Sequence, residues 1–167
     1  MGVYKEKIEN RGLEAYHIIV ASFLSGFSEI GVLNQAVVNN LVKKMAERLA
    51  IWFRTKGMDP GIRPGDGLGE RLRKTILFLN TSLNLAEEVK VGNTMVGQAV
   101  VITSNLCRIC PVGVGEAEIP GTACPYPTLI QSITNLFSPD GKEVRVKVHD
   151  YNVLTKKSGK CFIFFEG

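Results

Sequence analysis

The chain has 167 residues, of which 45 % are hydrophobic and 22 % charged, and this composition is typical of one globular domain with a single core. It contains no run of about 18 uninterrupted apolar residues, and the N-terminal sequence MGVYKEKIENRG lacks the apolar stretch of a secretory signal. We therefore expect a cytoplasmic protein without a membrane span. The net charge of +4 comes from basic residues scattered in short pairs, which does not favour nucleic-acid binding.

Three helices are predicted from the apolar spacing in the N-terminal half of the chain. The first covers residues 12–30, the second runs from the N-cap residue Asn34 to Gly57, and the third covers residues 69–83. The segment 57–69 is too rich in glycine and proline to continue a helix, so we expect a loop there. The apolar positions that indicate these helices are Leu13, Tyr16, Val20, Phe23, Phe27 and Ile30, then Val38, Leu41, Met45, Leu49 and Trp52, and finally Leu72, Ile76, Leu79 and Leu83.

The C-terminal half is predicted to contain antiparallel strands and one more helix. Valines alternate with charged or small residues from Val89, Gly92-Asn93 offers a turn, and the following sequence MVGQAVVITSNL completes a predicted hairpin. Pro125 suits the first turn of the helix that carries TLIQSITNLF. The sequences KEVRVKVHD and CFIFFE predict a closing pair of strands.

This order of elements predicts an α+β fold, in which helices cover an antiparallel β-sheet and an N-terminal helical pair comes first. We expect a single domain over residues 1–167, with the N-terminal helices in residues 1–57. The sequence contains no internal repeat and no low-complexity tract.

The sequence CRICPVGVGEAEIPGTACPYP contains three of the four cysteines and indicates a metal site. Cys107 and Cys110 form a CxxC turn, which lets two thiolates bind one ion, and Cys124 follows at a span that is normal for a loop closed by a metal. The fourth ligand is expected to be Cys161 at the start of the last strand, and the alternatives are His149 or a solvent or substrate ligand. Because the loop lacks apolar periodicity, a metal could fix it where packing cannot.

Four thiolates suit zinc, and a zinc ion with four protein ligands is structural because no coordination position remains for a catalytic water. An iron–sulfur cluster is the alternative cofactor, since the pairs Cys110-Pro111 and Cys124-Pro125 also occur in cluster-binding loops. Cys124 directly precedes a predicted helix start, where free backbone amides favour negative charge. We therefore expect the pKa of this thiol to be lowered.

The sequence CPYPTLIQSITNLF, followed by the valine-alternating strand and GKCFIFF, resembles the 4-vinyl reductase domain family over about residues 69–166. This resemblance implies a helix-covered antiparallel sheet related to the ligand-binding domains of nitric-oxide sensors and of vesicle-transport tethering subunits. It also implies binding of small, hydrocarbon-like molecules and a cysteine-bound metal, with Cys124 and Cys161 at the positions of family cysteines. A further cysteine that members often carry in the final hairpin is absent here, so the CxxC cysteines or His149 would complete the ligand set.

The first functional hypothesis is a protein that binds a small apolar molecule and carries a structural zinc, rather than an enzyme. Helices rich in aromatic residues over a sheet predict an apolar pocket, and its expected lining includes Phe23, Phe27, Trp52 and Phe78.

Two alternatives belong to other classes. A reductase acting on a tetrapyrrole-like substrate would use zinc or an iron–sulfur cluster, but the sequence has no dinucleotide fingerprint, no HExxH and no P-loop. Its acid–base chemistry would depend on carboxylates such as Glu116 or Glu118. In a dimeric assembly subunit, the stripe on the first helix would pack on a partner helix, and a homodimer is expected under each hypothesis.

Overall fold

The computed structural model describes residues 2–95, 97–119, 121–149 and 152–167. Within these residues it contains five α-helices and a five-stranded antiparallel sheet, which confirms the predicted α+β fold. No helix in the described part of the chain is long and apolar enough to cross a membrane. The elements are α1 (Gly2–Arg11), α2 (Ala15–Glu29), α3 (Gln35–Thr55), α4 (Leu68–Leu83), β1 (Val89–Thr94), β2 (Gly97–Thr103), α5 (Tyr126–Phe137), β3 (Arg145–Lys147), β4 (Thr155–Lys157) and β5 (Lys160–Glu166).

Helix α1 is absent from the sequence prediction because GVYKEKIENR shows no apolar stripe of helical period. The next helix starts at Ala15 rather than at residue 12, because Gly12 takes a left-handed φ of 55° and Glu14 caps the helix. The cap is reciprocal, since the backbone N–H of Glu14 donates to Nδ1 of His17 at 2.9 Å while the Glu14 side chain accepts from the first turn.

The strand order is β1-β2-β5-β3, and β4 pairs with the same edge of β5 as β3 does. The predicted turn at Gly92-Asn93 lies inside β1, which continues to Thr94. The closing hairpin joins β4 to β5 through Ser158-Gly159, while the valine-rich segment contributes only the short β3. Because β3 ends at Lys147, Val148 lies outside the sheet and is 56 % exposed.

One face of the sheet carries the core. Helices α4 and α5 lie against the sheet, and α3 packs on α5. Phe53 of α3 is fully buried and contacts Phe78 of α4 edge to face, with ring centroids 4.6 Å apart. Arg71 is also buried. Its guanidinium donates to the backbone oxygens of Asp66 and Lys142 and pairs with Asp140 at 2.6 Å, and these bonds offset the cost of burying its charge.

Helices α1 and α2 build a second, smaller apolar cluster beside the core. Its buried members are Leu13, Ala21 and Val114, and Ile8 and Cys110 pack against them. Val114 belongs to the cysteine-rich segment between β2 and α5. The N-terminal helices therefore pack on that segment.

Candidate metal centre

The structure brings the four cysteines, from Cys107 to Cys161 along the chain, to the wall of one cavity. The centres of water-sized groups can occupy a volume of about 50 Å³ in this cavity. Most of the remaining wall is apolar, and it includes Ile102, Ile109, Val112, Ile119, Leu154 and Ile163. Thiols from the loop, the start of α5 and strand β5 thus face the same space.

All four thiols are free, and they surround this space rather than meeting at a point. Among the described residues, no three side chains of His, Cys, Asp or Glu lie close enough together to hold one ion. The structure therefore places the four predicted ligands around one cavity. Their side chains are not as close together as the ligands of a single bound ion would be.

The CxxC turn is positioned by backbone bonds to the end of β2 and to the segment after α4. Cys107 forms an isolated bridge with Ala86, and the N–H of Arg108 donates to the oxygen of Leu85 at 2.9 Å. The sulfur of Cys110 accepts a hydrogen bond from the N–H of Gly113 at 3.2 Å. This contact fixes the Cys110 side chain against the turn that follows it.

Two arginines tie the same turn to the helices. Arg108 donates through Nε to the oxygen of Arg11 at 2.7 Å and through a terminal nitrogen to Oδ1 of Asn84 at 2.9 Å. Arg11, at the end of α1, donates to the oxygen of Cys107 at 3.4 Å. The turn is therefore anchored to the C-terminal ends of both α1 and α4.

Cys124 is held by a side chain of α3. The Gln35 amide oxygen accepts from the N–H of Cys124 at 3.1 Å, and its Nε2 donates to the Cys124 oxygen at 3.2 Å. Gln35 also donates to Asn39, which accepts in turn from Thr128 of α5. This paired amide contact fixes the backbone of Cys124 just before α5 begins.

The thiols destabilise one another's charged forms. Burial, together with the neighbouring Cys110 and Cys161, raises the pKa of Cys107 to about 12. Burial and then the neighbouring Cys107 raise the pKa of Cys124 well above its usual value, although the backbone N–H of Tyr126 acts in the opposite direction. The predicted lowering of the Cys124 pKa is therefore wrong for the metal-free chain, because burial outweighs the helix amide. A bound cation reverses this balance by stabilising thiolates.

Tyr126, the first residue of α5, is a cavity residue that sequence reasoning missed. It is 4 % exposed, and its hydroxyl has no hydrogen-bond partner in the described part of the chain. Burial raises the pKa of this hydroxyl well above its usual value, and Cys107 and Cys124 add to the shift. Its place inside the CPYP sequence, one residue from a cysteine-proline step, was the available signal.

His149, the alternative fourth ligand, lies away from the cavity. Its ring packs edge-on against Phe164 at a centroid distance of 5.4 Å. Because side chains alternate along a strand, Phe164 and Cys161 point to opposite faces of β5. The structure thus places Cys161, and not His149, with the other thiols.

The four aromatic residues of the predicted apolar pocket do not share one cavity. Phe23 and Phe27 line an open groove along α2, and Phe23 is 65 % exposed. Phe78 packs on Phe53 in the core, while Trp52 contacts Phe53 from the side and stays 46 % exposed. The reason is that α2 packs its opposite face inward, so its aromatic stripe points away from the sheet.

The carboxylates considered for acid–base chemistry are also remote from the thiols. Glu116 and Glu118 are exposed, and Glu116 pairs with Lys7 of α1 at 2.8 Å. Neither lines the cavity of the cysteines. They help to attach the loop to α1 or face solvent.

Comparison with known proteins gives a family match over most of the chain. The model of the MJ0207 family matches residues 31–166. A protein of Methanocaldococcus jannaschii, named Uncharacterized protein MJ1342, is 30 % identical over 91 residues, which cover 54 % of this chain and 75 % of that protein. No solved structure matches. The resemblance to the 4-vinyl reductase domain family is therefore wrong, because the match over this region is to a different family.

Proposed function

This chain belongs to the MJ0207 family, and we propose that it binds a metal centre through the thiolates of its four cysteines. The observation that supports the proposal most directly is the convergence of all four sulfur-bearing side chains on one cavity. Thiolates are soft ligands that select zinc or iron–sulfur clusters. Burial favours the neutral form of these thiols, and a bound cation would favour the thiolates that ligate it.

The dimensions of the cavity favour an iron–sulfur cluster over the single zinc ion expected from the sequence. A water molecule needs roughly 10–15 Å³ measured in the same way, so a cavity of about 50 Å³ admits several atoms. One zinc ion bound at about 2.3 Å by four sulfurs leaves no such space between them. A cluster places iron and sulfide between the thiolates, and it supplies either a structural crosslink or one-electron transfer.

Elemental analysis of protein purified without oxygen tests the proposal. We expect iron and acid-labile sulfide in comparable amounts, together with a brown colour and absorbance near roughly 400 nm. A colourless protein with one zinc per chain would show that the cysteines bind a single zinc ion and not a cluster. Protein that takes up neither iron with sulfide nor zinc contradicts the proposed function.

Substitution of single cysteines sharpens this test. Cys107→Ser and Cys124→Ser should each abolish metal binding and the stabilisation it provides, which amounts to about 4 kcal/mol at a thousandfold excess over Kd. His149→Asn is the matched control, because His149 lies on the other side of β5, and it should keep the metal content of the wild type. Metal content and urea unfolding with and without metal measure both effects. Retention of metal by the cysteine variants would rule out this ligand set.

A second candidate function is binding of a small apolar molecule in the same cavity, which the isoleucine, leucine and valine side chains of its wall favour. Such a ligand would need the segment between β2 and α5 to move outward. Solvent extraction followed by mass spectrometry would detect a retained molecule. Its presence in metal-free protein and its loss on metal loading would assign the cavity to both ligands in competition.

A further inference from the structure

Tyr126 lines the cavity of the four cysteines, and its buried hydroxyl has no hydrogen-bond partner among the described residues. We infer that Tyr126 donates this hydrogen to a sulfur of the centre bound by the four cysteines, and this inference rests on the proposed function. Tyr126 is thus a positioning and tuning residue, separate from the ligands themselves.

The first argument is the cost of leaving the hydroxyl unpaired. Tyr126 is 4 % exposed, and a buried donor without an acceptor costs about 1–3 kcal/mol. Packing alone would accept phenylalanine at this position equally well. A tyrosine in the wall of this cavity, with an unpaired hydroxyl, is therefore best explained by an acceptor bound inside the cavity.

The second argument concerns which acceptors the cavity offers. Its other polar side chains are Ser104, Thr122 and Lys156. Ser104 donates to the oxygen of Gly159 at 2.8 Å, Thr122 donates to Oδ1 of Asn152 at 3.3 Å, and a lysine ammonium cannot accept. The two hydroxyls are neutral acceptors, whereas the thiolates and sulfide of a bound centre would be charged and stronger acceptors in the same cavity.

The third argument concerns the strength of the acceptor. A neutral thiol is a weak acceptor, whereas a thiolate or sulfide is a charged and much stronger one. Tyr126 and the four cysteines line the same cavity, so a cluster bound there would bring sulfide near the hydroxyl. The hydrogen bond is thus expected only when the centre is present.

Such a bond has a measurable consequence. Hydrogen bonds to the sulfurs of a cluster stabilise its more negative, reduced state and therefore raise its reduction potential. A purely structural tyrosine would not affect the potential.

The protein offers a matched control in Tyr16 of α2. Its hydroxyl already donates to the oxygen of Leu83, and it does not line the cavity. Both Tyr16→Phe and Tyr126→Phe remove a hydroxyl oxygen. In Tyr16 this hydroxyl has a hydrogen-bond partner, and in Tyr126 it has none among the described residues.

The experiment compares wild type, Tyr126→Phe and Tyr16→Phe after reconstitution with ferrous iron and sulfide under nitrogen. We expect Tyr126→Phe to lower the midpoint potential in a spectroscopic redox titration and to leave the metal-free protein as stable as the wild type or more so. Tyr16→Phe should keep the wild-type potential and lower stability. Equal potentials in wild type and Tyr126→Phe, at equal cluster content, would overturn the inference and leave the proposed function standing.

Wild type that forms no cluster is then titrated with Co²⁺ as a probe for a single-ion site. A shift of the sulfur-to-cobalt charge-transfer band in Tyr126→Phe, together with an affinity roughly fivefold to tenfold weaker, corresponds to a lost hydrogen bond of about 1 kcal/mol and supports the inference. An unchanged band and affinity overturn it. Wild type that binds neither the cluster nor Co²⁺ overturns both the inference and the proposed function.

Discussion

The helix-covered sheet and the cysteine-rich segment between β2 and α5 are held in place by different combinations of forces. The sheet and helices α3 to α5 bury a continuous apolar core that includes Phe53, Leu129 and Ile163. The segment adds a few side chains to that core, including Ile109, and it is fixed further by specific polar bonds, such as those of Arg108, and by one small apolar cluster. The comparison shows that hydrophobic burial holds both regions and that the second depends on individual polar contacts as well.

The two regions also differ in what their burial costs. Most buried polar groups of the core are paired, as in the hydrogen bond between Thr75 and Thr134 at 2.9 Å. At the cavity, burial raises the pKa of Cys107 and Cys124, and the Tyr126 hydroxyl has no partner within the described residues. A cluster of buried groups with shifted pKa values and an unpaired hydroxyl is typical of a binding site.

The largest expected effect breaks the core and leaves the cysteine site intact. Phe53→Ala should lower the free energy of unfolding by about 3–5 kcal/mol, because a fully buried ring leaves a cavity between α3 and α4. Urea unfolding should show the same loss in the metal-free and metal-loaded protein. Ile51→Ala, at a position that is 56 % exposed on the same helix, is the control and should change stability by less than about 0.5 kcal/mol. Equal losses in the two variants would contradict the assigned core.

The next largest effect is expected from disrupting the contact between the cysteine-rich segment and α2. A Cβ at Gly115 would lie 2.5 Å from the carbonyl oxygen of Ala21 and 2.8 Å from that of Pro111, so Gly115→Ala forces the segment away from the helix. We expect a loss of about 1–3 kcal/mol and weaker metal binding. Gly92→Ala is the control, because nothing lies within 4 Å of the added atom. Normal stability and metal affinity in Gly115→Ala would show that this contact is not needed.

A smaller effect depends on pH. Burial lowers the pKa of His17, whose ring accepts from the N–H of Glu14 and contacts the oxygen of Asn84, the residue that also anchors Arg108. Below about pH 6.5 the unfolded chain binds a proton that the folded chain refuses, so stability falls as the pH is lowered through this range. The slope from this group is at most about 1.4 kcal/mol per pH unit.

Urea unfolding of wild type and His17→Gln between pH 7 and pH 5 measures this contribution. The difference in stability between the two proteins should shrink as the pH falls, because only the wild type loses the neutral imidazole. Parallel curves would show that His17 does not supply the pH dependence.

The smallest change in the stability of the single chain is expected from a substitution that tests the predicted homodimer. Helix α2 has no Asp, Glu, Lys or Arg before Glu29, and it exposes Ile19, Phe23 and Ile30, so a second copy of the same face would meet no charge repulsion. Phe23→Asp should convert a dimer to a monomer in sedimentation velocity and change monomer stability by less than about 0.5 kcal/mol. Leu77→Asp, at a position that is 67 % exposed on α4, is the control and should leave the dimer unchanged. A monomeric wild type would contradict the prediction.

Much of the fold was predictable because its helices and strands carry strong apolar periods. Helices α2 to α5 and the antiparallel pairing of the last strand follow from such patterns in the sequence. Helix α1 could not be found in this way, because it packs only one small face, around Ile8, on the loop cluster. The family could not be read from a short cysteine-proline step, since such a step fits many loops that precede a helix.

The candidate site was predictable in its thiols and not in its surroundings. Cys107, Cys110 and Cys124 stand out because thiols at CxxC spacing are rare outside metal or redox sites. The contact of Gln35 with Cys124 carries no sequence signal, and the place of Tyr126 in CPYP does not reveal its unpaired hydroxyl, because both features depend on contacts between distant parts of the chain.

The sequence by itself determined helices α2 to α5, the last strand and which residues can ligate a metal, because local periodicity and side-chain chemistry are properties of neighbouring residues. Only the tertiary structure decided that Cys161 shares a cavity with the loop thiols while His149 lies behind the sheet, and that Phe23 faces away from the core. These outcomes depend on strand register and on which helix face is buried. Both are fixed by packing between segments that are far apart in the chain.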